Sequence, residues 1–182
     1  MPYAKQFKIG IIGMPKTGKT SLIDALKYKY NVKVSHDTQN FCVYSIDFHT
    51  TIGKIKLDIW DTKNPDDIEI DWFYINIEHI YIGADAFIYN YDISNIGTLN
   101  DLSKPIKVLK MKIEGRKFFA VGCKSDLQDK PLNFNNIDKI LSRHITYNGK
   151  FETSNKHPKT IYNMFEKIIK NLSNSPDIEI IE

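Results

Sequence analysis

The stretch Gly13-Met14-Pro15-Lys16-Thr17-Gly18-Lys19-Thr20 constrains this chain more than any other. It fits G-x-x-x-x-G-K-[ST] at every fixed position, the pattern of a loop that wraps phosphate. An apolar, β-branched run, Phe7-Lys8-Ile9-Gly10-Ile11-Ile12, leads into it, and a helix-like Ser21-Leu22-Ile23-Asp24-Ala25-Leu26 follows. Strand, loop and helix therefore come in the order such a loop requires. The glycines let successive backbone N–H groups curl around anionic oxygens, and the helix start near Gly18 adds its positive end. Lys19 reaches the β- and γ-phosphates as a point charge, which also makes it the candidate for steadying transition-state charge, and the Thr20 hydroxyl ligates Mg²⁺.

The rest of the composition narrows the setting. A chain of 182 residues with 42% hydrophobic and 26% charged side chains is expected to fold as one soluble domain. The net charge of +3 is too mild to point to nucleic acid or a membrane surface. Cys42 and Cys123 are the only cysteines, so neither a disulfide framework nor a Cys-rich metal site is expected, and a reducing cytoplasm fits best. The chain has no run of eighteen apolar residues, no signal-peptide pattern, no glycine at position 2 and no cysteine in the final Ile178-Glu179-Ile180-Ile181-Glu182. The expectation is a protein without an intrinsic membrane anchor, reaching a membrane only through a partner.

Periodicity predicts a helix from Thr20 to about Tyr30 and an exposed, mobile connection from Asn31 to Phe41. Val43–Phe48 and Ile55–Trp60 read as an antiparallel hairpin around Thr51-Ile52-Gly53. Ala86–Asp92 and Lys117–Val121 read as buried strands, separated by a helical stretch, Leu99–Lys112, that carries Pro105. A short helix over Ile137–Arg143, a strand ending at Phe151 and an amphipathic helix over Lys159–Leu172 complete the chain. This is a three-layer α/β pattern with a mostly parallel sheet of six strands, one of them an antiparallel edge strand. Residues 1–172 form the domain and 173–182 a short tail. Ligands in such folds sit outside the carboxyl ends of the strands, which gathers the loops after Ile12, Trp60, Val121 and Phe151 into one crevice.

Those loops carry further motifs. Trp60-Asp61-Thr62, Tyr91-Asp92-Ile93-Ser94, Cys123-Lys124-Ser125-Asp126 and Phe151-Glu152-Thr153-Ser154-Asn155-Lys156 follow the phosphate loop in order. Together they resemble the Ras superfamily of small GTPases, with the Rab branch the nearest likeness, over about Phe7 to Leu172. The resemblance implies GTP or GDP as ligand with Mg²⁺ held through Thr20 and Asp61. It places Ser21 beside the phosphates and Asp126 on the base edge, where one carboxylate accepts from guanine N1–H and the exocyclic amine and refuses adenine. Lys124 covers one face of the base and Tyr30 the other, while Ser154 and the N–H groups of Asn155 and Lys156 close the pocket at O6.

Four departures fall on the switching side of that pattern. The family's D-T-A-G-Q reads Asp61-Thr62-Lys63-Asn64-Pro65, so the γ-phosphate glycine is Asn64 and the water-orienting glutamine is Pro65. Val43 stands where the family has a Mg²⁺-ligating switch threonine, and Thr38 lies five positions earlier. Met14, Pro15 and Lys16 crowd the loop, with Lys16 a candidate stand-in for a missing positive charge. Cys123 replaces an asparagine that ties the guanine loop to the phosphate loop, exchanging a strong donor and acceptor for a weak one.

The expectation is a slow or partner-dependent GTPase that acts as a switch in signalling or vesicle trafficking. Residues 31–43 and 64–82 are its effector or regulator surfaces, with Trp72, Phe73 and Tyr74 either docking anchors or core. Two other readings stay open: a nucleotide-locked or nucleotide-free interaction module, and a small P-loop kinase. The second is weakened by having only Arg116 and Arg143 as arginines.

Overall fold

The computed structural model describes residues 3–63, 78–95, 97–100, 114–127, 134–142 and 146–181. Its centre is a sheet of eight strands. The first, β1 (Lys5–Gly13), leads through the phosphate loop into α1 (Lys19–Leu26), followed by β2 (Val32–Asp37), β3 (Phe41–Thr50) and β4 (Gly53–Thr62). After α2 (Glu78–Tyr81) come β5 (Ala86–Asp92), α3 (Gly97–Asn100), β6 (Lys117–Cys123) and α4 (Phe134–Ser142). The chain ends with β7 (Gly149–Glu152), α5 (Lys159–Ser173) and β8 (Ile180–Ile181). The strand order is β2-β3-β4-β1-β5-β6-β7, with β8 paired to β3.

Strands β4, β1, β5, β6 and β7 are mutually parallel, whereas β3 runs antiparallel to β4, β2 and β8. Every residue of β5 is buried, as a central parallel strand covered on both faces must be. Ile9, Ile11, Ile88, Val121 and Phe119 face α1 and α5, packing on Leu22, Leu26, Ile161, Phe165 and Ile168. Ile12, Phe87, Tyr89 and Phe118 face the other way, onto Ile80, Tyr81, Leu99 and Leu141 of α2, α3 and α4. These two cores make the three layers. Helix α5 is aligned by its apolar stripe and ends at Asn174, whose left-handed φ of 51° suits a C-terminal stop.

The α/β class and the mostly parallel sheet match the expectation, but the described residues form eight strands in place of six. Residues 32–37, expected to be a mobile connection, form β2 and pair with β3 from Val32↔Ile46 to Asp37↔Cys42, with a bulge near His36. The Val-x-Val alternation at Val32 and Val34 is too short a signal among polar neighbours, and pairing with a long edge decides the matter. Beyond α5 the chain doubles back: Ile178 is buried, Thr51 N–H donates to Glu179 O at 3.0 Å, and Ile180 pairs with Thr50. Helix α1 stops at Leu26, short of the expected Tyr30. Most of the stretch expected to be helical between Leu99 and Lys112 lies outside the described residues.

Gly13 is where β1 leaves the sheet. Its φ is 148°, and a Cβ there would lie 2.3 Å from the carbonyl oxygen of Asn90, so strain and collision coincide. Gly83, at φ 69°, has nothing within 4 Å of an added Cβ. Gly13→Ala is expected to cost about 3–5 kcal/mol of folding stability. Gly83→Ala should cost about 1–2 kcal/mol, the bare left-handed penalty. Urea unfolding midpoints of the two variants measure the difference.

Candidate functional site

The carboxyl ends of β1, β4, β6 and β7 bring their loops together, and hydrogen bonds from Thr20 to Asp61, Asn155 to Ser21 and Ser154 to Asp126 join them. Within the phosphate loop, Lys16 takes a left-handed φ of 63° and Gly18 one of 99°. The buried Thr17 hydroxyl donates to Met14 O at 2.8 Å, drawing the loop into a ring. Met14 and Pro15 are half-buried and Lys16 is exposed on its rim. Helix α1 opens at Gly18 with no side chain capping its first turn, so its leading N–H groups are directed at the loop's interior.

Lys19 is only 7% exposed, and its ammonium donates to Gly13 O at 3.0 Å and Met14 O at 2.9 Å. Burial lowers its pKa to about 8 against the opposing pull of Asp61. A buried ammonium with two neutral carbonyl partners is under-neutralised, which favours an anion beside it.

The Thr20 hydroxyl donates to Asp61 Oδ2 at 2.6 Å, so the two expected metal-ligating side chains meet. Burial pushes the Asp61 carboxyl up, while the Thr20 bond and Lys19 pull it down. Asp61 Oδ1 and Thr62 Oγ1 are buried without a hydrogen-bond partner among the described residues. Hard oxygen donors with a spare buried carboxylate oxygen fit Mg²⁺, which keeps waters and phosphate oxygens in its shell and so uses few protein ligands. No cluster of three or more His, Cys, Asp or Glu able to hold a metal occurs among the described residues.

The guanine-side residues also converge. Asp126, in the 3₁₀ turn Ser125–Leu127, accepts from Ser154 Oγ at 2.6 Å and pairs with Lys156 Nζ at 3.1 Å. The Ser154 hydroxyl, then the Lys156 ammonium, hold its carboxyl below the usual carboxylate range. The Lys156 N–H donates to Ser154 Oγ at 3.1 Å, and Asn155 Nδ2 donates to Ser21 O at 3.0 Å, pinning this loop to α1. Lys124, in a left-handed φ of 63°, pairs with Asp92 Oδ2 at 2.6 Å. Burial alone would raise the Asp92 carboxyl, but the Lys124 ammonium and Ser94 bring it down.

Tyr30 is not part of this site. Its ring packs 4.7 Å from Phe48 and 6.0 Å, edge-on, from Tyr162. Phe48 pairs with Ile55 and Ile55 with Lys5 at the start of β1, whereas Asp61 pairs with Ile11 near its end. Tyr30 therefore belongs to the opposite end of the sheet, in the turn that follows α1. Thr38 is likewise spent elsewhere: its hydroxyl donates to Phe41 O at 3.0 Å and accepts from the Phe41 N–H at 3.1 Å. Lys63 clamps that turn through Asp37 and through Thr38 O at 2.9 Å. Val43 is buried in β3 opposite Trp60. Asn64, Pro65 and Trp72-Phe73-Tyr74 lie outside the described residues.

Cys123 forms the floor under the phosphate loop: a Cβ on Gly18 would lie 3.2 Å from Cys123 Cβ and 3.4 Å from Sγ. Burial pushes its thiol up to about 11, against the Thr153 and Asn90 bonds, so it serves as packing and weak acceptor. Asn90 was not singled out from the sequence. It donates to Cys123 Sγ at 3.3 Å, and the available signal was an amide inside an otherwise apolar strand.

A parallel sheet that directs a Gly-Lys-Thr loop, an Asp-Thr strand end and a Lys-x-Asp turn into one crevice defines a phosphate-loop nucleotide-binding protein. Residues 8–174 match the model of the Ras family, and the chain belongs to that family. It is a small GTP-binding switch protein with a guanine-nucleotide site. No helix among the described residues is long and apolar enough to cross a membrane.

Ser154→Ala removes the hydroxyl that fixes Asp126. It should weaken GDP binding roughly tenfold while leaving ADP binding unchanged, since the phosphate contacts are untouched. Competitive titration against a fluorescent nucleotide measures both.

Proposed function

We propose that this chain is a Rab-like, Mg²⁺-dependent guanine-nucleotide switch whose own hydrolysis of GTP is impaired and completed, where it occurs, by a partner. Lys19 and the N–H groups of the phosphate loop hold the β- and γ-phosphates, Thr20 and Asp61 hold the metal, and Asp126, oriented by Ser154 and Lys156, selects the base. Mg²⁺, when bound, neutralises phosphate charge.

One observation carries the impairment. Thr38, the candidate for the switch-threonine role, has its oxygen committed to its own turn, and Val43 at the family position has no side-chain oxygen to give. Pro65 at the water-orienting position supports the same conclusion from chemistry alone. Residues 31–43 and 64–82 are the proposed effector or regulator surfaces. The first includes β2, at one end of the strand order, with Val34 58% exposed. A role in signalling or vesicle trafficking from the cytoplasm, with recruitment by a partner, follows from the Rab likeness.

A second reading, a module held nucleotide-free, is favoured by the way Lys19 and Thr20 find partners within the protein, on Gly13 O, Met14 O and Asp61. The kinase reading is weakened by Arg116, which precedes β6 at the end remote from Cys123.

Protein extracted natively is expected to carry GDP or GTP. ATP would support the kinase, and an empty protein the nucleotide-free module. Single-turnover hydrolysis with Mg²⁺ is expected at least about tenfold below the intrinsic rate of about 4 × 10⁻⁴ per second known for Ras. A rate equal to that refutes the impairment. Lys19→Ala should abolish nucleotide retention in the same preparations.

A further inference from the structure

Asn90 is an anomaly in its strand. It is fully buried in β5, between Gly13 of β1 and Val121 of β6, with Ala86, Phe87, Ile88, Tyr89 and Tyr91 as its apolar and aromatic strand-mates. A buried amide is unfavourable unless its hydrogen bonds are met. Here Nδ2 donates to Cys123 Sγ at 3.3 Å, a weak acceptor, and Oδ1 has no partner among the described residues. Folding alone is poorly served by such a residue.

Its neighbours are the two ends of the phosphate loop. The Asn90 carbonyl oxygen lies where a Cβ on Gly13 would fall, at 2.3 Å, and Cys123, which its side chain holds, underlies Gly18. Cys123 in turn leads into Lys124 and Asp126, and its Sγ accepts from Thr153 Oγ1 at 3.7 Å, beside Ser154. One residue thus touches the loop's entry through its backbone and, through a single sulfur, both its exit and the base-reading loops.

We propose that Asn90 is the positioning residue that couples the phosphate loop to the guanine loops, supplying from β5 the amide that position 123 lacks. The proposal rests on the guanine-nucleotide reading above. It makes Asn90 a determinant of how long the nucleotide stays bound, acting through Cys123 rather than by touching the ligand.

The test is release of N-methylanthraniloyl-GDP, chased with excess GDP, from wild type, Asn90→Val, Cys123→Ala and the double variant, alongside urea unfolding of each in nucleotide-free form. Coupling predicts that Asn90→Val releases nucleotide at least about tenfold faster while its nucleotide-free stability is unchanged or higher, because an unsatisfied buried acceptor has been removed. It also predicts that the double variant releases no more than about twofold faster than Asn90→Val, since both changes break one path. Unchanged release in Asn90→Val overturns the proposal. So does a fully multiplicative double variant, or a loss of nucleotide-free stability, including failure to fold, which assigns Asn90 to the fold. Wild-type protein that retains no guanine nucleotide overturns the functional reading and this inference together, whereas a retentive wild type indistinguishable from Asn90→Val overturns this inference alone.

Discussion

The arrangement depends on one buried ammonium. Lys19 stands in the first turn of α1, almost wholly out of water, with two main-chain carbonyls as its polar partners and an uncapped helix start around it. Desolvating a cation is unfavourable, and burial lowers its pKa to about 8 despite the opposing pull of Asp61. A diphosphate satisfies the ammonium, the helix dipole and the loop N–H groups together. The positive φ at Lys16 and Gly18 and the absence of a Cβ at Gly13 are what bend the backbone into that cradle.

Around this point the sheet divides labour by strand. On one side, β6 and β7 deliver Asp126, Ser154 and Lys156, already bonded to one another, so the groups proposed to read the base are held in place. On the other, β4 delivers Asp61 to Thr20, and the Thr38 hydroxyl in the turn between β2 and β3 is bonded to Phe41 O. The Lys63 clamp on Asp37 and Thr38 holds the turn between β2 and β3 against the end of β4. On the proposed function, the nucleotide-gripping half of the pattern is kept, while Val43 and Pro65 stand where relatives place the groups that report a γ-phosphate.

Much of this was legible in the sequence, and the gaps have physical causes. The phosphate loop, the hairpin, the buried strands β5 and β6 and the amphipathic α5 declare themselves through spacing and periodicity, which are local properties. The meetings of Thr20 with Asp61 and of Asp126 with Ser154 follow from motif order plus the rule that ligands sit at strand carboxyl ends. What the sequence hid was non-local. Strand β2 exists because β3 offers a long edge, and Tyr30 is drawn onto Phe48 and Tyr162, which lie far from it in the chain. The side chain of Asn90 meets a sulfur that lies 33 positions away in the chain. No pattern within a single segment carries that information.

The central claim is that the crevice grips a guanine nucleotide by its phosphates and reads its base with Asp126. Calorimetric titration of the purified protein with GDP and with ADP, each in the presence of Mg²⁺, tests it most directly. The account predicts saturable binding of GDP well below millimolar concentration and binding of ADP at least about a hundredfold weaker, in keeping with a site that leaves its carboxylate unpaired on the wrong base. No heat of binding with GDP up to millimolar concentration, or equal affinity for ADP, would contradict it.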